Sequence, residues 1–178
     1  MNLLIENLAG RIAKTIKEAS PEETTSVEVM KFALIGIIHN SIIVITALIF
    51  GIIFNNFVET VICCISFMGL RLVSGGYHFK TALSCFIFST IVFVTIPFIQ
   101  LPNNVLLYIN IVSLILCIVF SPSNIKAHIR VSEKYFFIFK LASIIVVSLN
   151  FLLNNPIITL SFLTQSVTLI YFKGGDNK

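Results

Sequence analysis

A bundle of membrane-spanning α-helices is the fold class this sequence predicts, and three observations predict it. Hydrophobic residues fill 57% of the 178 positions and charged residues only 11%, and the mean hydropathy of +0.99 lies outside the balance of a soluble globular domain. Long apolar runs follow one another at about 32–54, 57–73, 82–99, 104–120, 136–153 and 156–172, several of them near the ~20 residues that cross a ~30 Å hydrocarbon core. Threading these runs alternately across a bilayer puts all 12 Lys and Arg residues on one side, as the positive-inside rule requires. The expected architecture is all-α, a polytopic bundle of about six transmembrane helices preceded by an N-terminal amphipathic helix. One domain, 1–178, is expected, with 1–30 a cytoplasmic amphipathic segment and 32–172 the transmembrane bundle, because neither a linker nor an internal repeat divides the chain.

In the first nineteen residues Leu4, Leu8, Ile12 and Ile16 recur every four positions beside Arg11, Lys14 and Lys17. That stripe belongs to an amphipathic helix that either lies on an anionic inner leaflet or packs against the bundle. Ser20-Pro21-Glu22-Glu23 reads as an N-cap, a Pro at the first helical position and a capping-box Glu, so a new helix is expected there. The first span then carries His39 within "IIHNS", and an imidazole at that depth is expected to hydrogen-bond a neighbouring helix. The second span is short: eleven residues separate Glu59 from Arg71, roughly 16 Å of uncharged helix, so it has to tilt, snorkel its ends or stop within the protein. Nothing at the N-terminus resembles a cleavable signal peptide, and the first span is expected to target the chain.

With the N-terminus inside, the inner segments hold Arg11, Lys14, Lys17 and Lys31, then Arg71 and Lys80, then Lys126, Arg130, Lys134 and Lys140, and finally Lys173 and Lys178. The outer connections, at Asn55-Asn56, Gln100 to Asn104, and Asn154-Asn155, are polar without positive charge. A multi-pass cell membrane location with both termini cytoplasmic is expected from this distribution.

Against that background "RLVSGGYHFKTALSC", residues 71–85, gathers an Arg, a Gly pair, a His, a Lys and a Cys. Gly75-Gly76 disfavours helix and is expected to break the chain, which resumes as helix around Lys80 or Thr81. On one continuous helix His78 and Cys85, seven apart, would be separated by roughly 10 Å along the axis. Placed in a glycine-hinged loop, the imidazole can instead fold over the start of the third span. Cys85 would lie within the first turn and a half of that helix, where the macrodipole favours a thiolate and free N–H groups can hold an oxyanion. The plainer reading, a small packing Cys and a solvated His, stands beside this one. Cys63, Cys64 and Cys117 have no His or basic residue within a turn and read as packing residues, and His128 reads as part of a basic loop surface. Apolar surroundings for all four cysteines argue against a disulfide framework. No CxxC, HExxH or Walker-type loop occurs, so neither a metal nor a nucleotide cofactor is expected.

The stretch Arg71-Leu-Val-Ser-Gly75-Gly76-Tyr77-His78-Phe79-Lys80, followed by Cys85 and Ser89, is similar to the signature of the accessory gene regulator B (AgrB) family of membrane peptide-processing endopeptidases. His-x₆-Cys, the preceding glycines, the upstream Arg and the trailing Ser correspond, and so do the basic N-terminal helix and the Ser121-Pro122 that ends a span before a basic loop. The resemblance implies a cysteine peptidase in which Cys85 is the nucleophile and His78 its general base, supported by Arg71, Gly75, Gly76, Lys80, Ser89, Lys126 and Arg130. It implies cleavage of an AgrD-like precursor through a Cys85 thioester and its cyclisation to a quorum-sensing peptide, without a cofactor. Expected partners are that precursor, membrane lipids and, as an option, a second copy of the chain, with no nucleic acid. From another class, a non-catalytic transporter subunit in which His78 and Cys85 line a cavity remains the alternative.

Overall fold

The computed structural model describes residues 2–77, 81–123 and 136–170. Seven α-helices are found among them: α1 (Asn2–Ala19), α2 (Val27–Ile53), α3 (Phe57–Ser74), α4 (Ala82–Thr95), α5 (Asn103–Phe120), α6 (Phe136–Leu153) and α7 (Pro156–Val167). The fold is an all-α bundle, and its surface is inverted relative to a soluble protein. Leu152 is 84% exposed and Ile65 68% exposed, whereas Asn110 and Asn150 are 3% and 2% exposed. Outward apolar side chains and inward amides are what hydrocarbon as solvent demands. By length and composition α2, α3, α5 and α6 can cross a membrane, and Ala82–Phe98 and Pro156–Val167 are shorter apolar helices.

The N-terminal boundary differs from the sequence expectation. Ser20 does not open α2. Its N–H closes α1 onto the Ile16 carbonyl at 3.1 Å, while Thr24 donates to the Ser20 carbonyl at 2.7 Å. Lys17 Nζ staples the intervening turn by donating to the carbonyls of Pro21 (2.6 Å) and Thr24 (2.9 Å). The cap therefore falls on Ser26, whose hydroxyl accepts from the Val29 N–H at 3.4 Å, and the first span starts at Val27. Helix α1 packs on α2, and the buried row is Ile5, Ala9 and Ala13, one position away from the Leu4, Leu8, Ile12, Ile16 stripe. Small residues let the two helices approach closely; Leu3, Leu4, Leu8 and Ile16 are left exposed.

At the far end of α2, Asn55 takes φ +56°, a left-handed conformation Asn tolerates, and the chain doubles back into α3. The hairpin is tight: a Cβ on Gly51 would lie 2.8 Å from Thr60 Oγ1 and 3.3 Å from Phe57 Cα. Helix α4 runs back alongside α2 and ends in a 3-10 turn, Ile96–Phe98, at Pro97, where Phe98 meets Phe54 edge-on with ring centroids 5.7 Å apart. Ile43, Ala47, Cys63, Cys64, Phe67, Val92, Phe93, Ile96 and Ile157 form the core shared by α2, α3, α4 and α7. A second core joins Leu70, Cys117, Val147, Phe162 and Leu169 from α3, α5, α6 and α7.

Helix α7 is the internal one. It touches α3 and α5, and its buried positions are mostly polar or small: Thr159, Ser161, Gln165 and Ser166. Asn155 Oδ1 caps it by accepting from Ile157 N (2.9 Å) and Ile158 N (3.2 Å). The sequence extends this run to residue 172, but the helix stops at Val167 and turns through Thr168.

Candidate active site

Helix α3 stops where the glycines begin. The Gly75 N–H closes the last turn on the Arg71 carbonyl at 3.0 Å, and Gly75 (φ +70°) and Gly76 (φ +135°) enter conformations that L side chains rarely adopt. Two separate parts of the chain then hold this hinge. Gly75 and Ser123 form an isolated parallel bridge, with Gly76 N donating to Ser123 O and Ser123 N to Ser74 O, both at 3.0 Å. From the end of α7, the Thr168 carbonyl accepts the Tyr77 N–H at 2.8 Å.

The central tie is Gln165, fully buried on α7. Its amide nitrogen donates to the Gly75 carbonyl (2.7 Å) and to Ser74 Oγ (3.2 Å). Its carbonyl oxygen accepts from Arg71 Nη1 (3.2 Å) and from Thr168 Oγ1 (3.2 Å). Arg71 completes the clamp by donating through Nη2 to the Tyr77 carbonyl at 2.8 Å. Every polar atom of the amide is paired, as a group removed from water requires. A Cβ on Gly76 would sit 2.8 Å from Thr168 Oγ1 and 3.2 Å from Gln165 Nε2, so this position needs Gly both for its backbone and for the approach of α7.

Beyond the hinge, Thr81 caps α4: its Oγ1 accepts from Ser84 N at 3.1 Å and its carbonyl from Cys85 N at 3.2 Å. These two bonds leave Ala82 and Leu83 as the residues whose N–H groups point out of the helix start. Cys85 is the fourth residue of α4, half-buried against the α2–α3–α4 core. Arg71 is its electrostatic neighbour. Ser89 lies one turn further along, buried on the face that α4 turns to the bundle.

Of the residues selected from sequence, the structure thus brings Arg71, Gly75, Gly76 and Cys85 into one region at the hinge end of the bundle. His78, Lys80, Lys126 and Arg130 lie outside the described residues. His39 departs from expectation: its Nε2 is buried with no hydrogen-bond partner among the described residues. Cys63 and Cys117 instead make interhelical contacts, with Ser161 Oγ (3.3 Å) and Ser166 Oγ (3.4 Å). Sequence reasoning missed Ser123, Gln165 and Thr168. A signal for Gln165 was present, since an amide in "LTQSV" within an apolar run has to find partners inside the protein.

A family model described as Accessory gene regulator B matches residues 5–171 of this chain. An AgrB-like protein of Halalkalibacterium halodurans is 28% identical to it over 101 residues, which are 57% of this chain. The match covers 51% of that protein, so the chain spans about half the length of the curated relative it matches. No solved structure matches it.

Proposed function

The chain belongs to the accessory gene regulator B family, and on that premise we propose that it is a membrane cysteine endopeptidase maturing an AgrD-like quorum-sensing precursor. The observation that carries the reading is Cys85, half-buried at the start of α4 and within electrostatic reach of Arg71, which itself clamps the glycine hinge through Gln165 and the Tyr77 carbonyl. In this reading Cys85 attacks the scissile carbonyl and His78 takes the thiol proton. Arg71 steadies negative charge on the sulfur, and the N–H groups of Ala82 and Leu83 face the developing oxyanion. As the C–N bond breaks, the imidazolium returns its proton to the leaving amine. The acidic tail departs, and an acyl thioester remains on Cys85. A thiol or hydroxyl within the retained peptide then attacks the thioester carbonyl, closes the ring and releases Cys85.

Exchanging an amide for a thioester is uphill, whereas thioester exchange is nearly neutral, so loss of the tail drives the first step. The half-buried setting of Cys85 limits hydrolysis of the acyl-enzyme and favours the intramolecular nucleophile. Lys80, Lys126 and Arg130 supply positive charge for the acidic tail, and the hinge end faces the cytoplasm, in keeping with the one-sided distribution of Lys and Arg.

The experiment is processing of a synthetic AgrD-type precursor by the purified protein in liposomes, read by mass spectrometry. The wild type is expected to yield released tail, an adduct on Cys85 with the mass of the precursor less its tail, and cyclic product. Cys85→Ala and His78→Ala are each expected to lose at least 100-fold in rate. Tail release by the Cys85→Ala variant at the wild-type rate sinks the proposal.

A further inference from the structure

The imidazole of His39 belongs to a helix that packs beside the one carrying Cys85. Helices α2 and α3 form an antiparallel hairpin in which Gly51 abuts Thr60. Counting from that point, His39 is twelve residues along α2 and Arg71 eleven along α3, about 18 Å and about 17 Å of helix. Helices α2 and α4 run the same way and meet at their ends through Phe54 and Phe98. From there His39 is fifteen residues back and Cys85 thirteen, about 22 Å and about 20 Å. Two independent anchor points therefore give one answer: His39, Arg71 and Cys85 occupy one layer of three mutually packed helices. His39 also precedes Ile43 and Ala47 by one and two turns on the row of α2 that packs into the core.

The Nε2 of His39 is buried without a partner among the described residues. An orphaned buried polar atom costs about 1–3 kcal/mol, and Leu or Phe would avoid that loss within so apolar a helix. A retained polar group with no partner of its own is explained when a ligand provides one. At the depth of Cys85, on the proposed function, that ligand is a peptide, whose backbone N–H and C=O groups themselves lose water on entering the site. We infer that His39 is a substrate-binding residue whose Nε2 hydrogen-bonds the backbone of the precursor segment held against Cys85. This rests on the reading of Cys85 as nucleophile.

The test uses a fluorescently labelled synthetic AgrD-type precursor with the full chain in liposomes. Binding is measured in a Cys85→Ala background, so that no turnover intervenes. His39→Phe, which keeps an aromatic ring of similar volume without a polar atom, is expected to weaken binding at least tenfold while the melting temperature in detergent stays equal or rises. His39→Gln, which returns a polar group to the reach of Nε2, is expected to recover most of the loss. In the Cys85-containing protein the same substitutions are expected to act mainly on KM. Wild-type binding by His39→Phe overturns the inference, as do equal losses in both variants with lowered melting temperatures, which mark a packing role alone. Should His39→Phe fail to insert, His39→Leu serves the same comparison. Processing by Cys85→Ala alone would sink the peptidase reading, whereas an inactive Cys85→Ala with an unimpaired His39→Phe sinks only the role of His39.

Discussion

Gly76 has no room for a side chain and no relaxed backbone for one. With φ +135° and Thr168 Oγ1 2.8 Å from the position of a Cβ, Gly76→Ala is expected to cost about 1–3 kcal/mol. Precursor processing is expected to fall with it, because the strain would be relieved by moving the hinge away from Gln165 and Thr168. Thermal unfolding in detergent alongside the processing assay checks both. The glycine pair, Arg71 and Cys85 were legible in the sequence because they sit within fifteen positions of each other and their chemistry is unusual among apolar neighbours. The pairing of Gln165 with its partners was not, since they lie 90 to 94 positions earlier and no local periodicity reports a contact of that separation. Arg71, read from sequence as a supporting residue of the site, is engaged with Gln165 and the Tyr77 carbonyl and so orders the hinge.

Of the two placements left open by the sequence for the apolar stripe of α1, packing against the bundle is the one the structure does not show. A four-residue repeat of large apolar side chains predicted the helix, yet the face against α2 is the row containing Ala9 and Ala13. Close packing between helices selects small residues, and bulk is left for the outer surface. Ala9→Leu is therefore expected to push α1 off α2 at a cost of about 1–3 kcal/mol, detected as faster proteolysis in the 20–26 turn, while Leu8→Ala leaves that cleavage unchanged. The misplaced start of α2 has a comparable origin. Ser20-Pro21 carries a good local cap signature, but Lys17 reaches across to the Pro21 and Thr24 carbonyls and makes the segment a turn.

The bundle divides its polar groups between two ends. Opposite the hinge, Asn150 Nδ2 donates to Thr159 Oγ1 (2.7 Å) and to Asn110 Oδ1 (3.3 Å), joining α5, α6 and α7 away from water. Asn150→Ala removes these two bonds and the one its Oδ1 accepts from the Asn155 N–H, although Thr159 Oγ1 keeps its bond to the Asn155 carbonyl, and is expected to destabilise the protein by about 1–3 kcal/mol. Processing per folded molecule is expected to be unchanged, because the network lies far from Cys85; unfolding curves and specific activity measured together decide this. The succession of apolar runs foretold the number and order of the helices, since hydrocarbon tolerates few other solutions. It overran the end of α7, because a composition shared by helix and turn does not reveal that Thr168 leaves the helix to meet Tyr77.

That last contact sets a schedule for biogenesis. The glycine hinge is secured by groups as late in the chain as Gln165 and Thr168, so a nascent polypeptide that has made only α1 to α5 still lacks the parts that fix it. On the proposed function, competence arises only once the segment carrying Gln165 and Thr168 is in place, and copies halted before it are expected not to cut precursor.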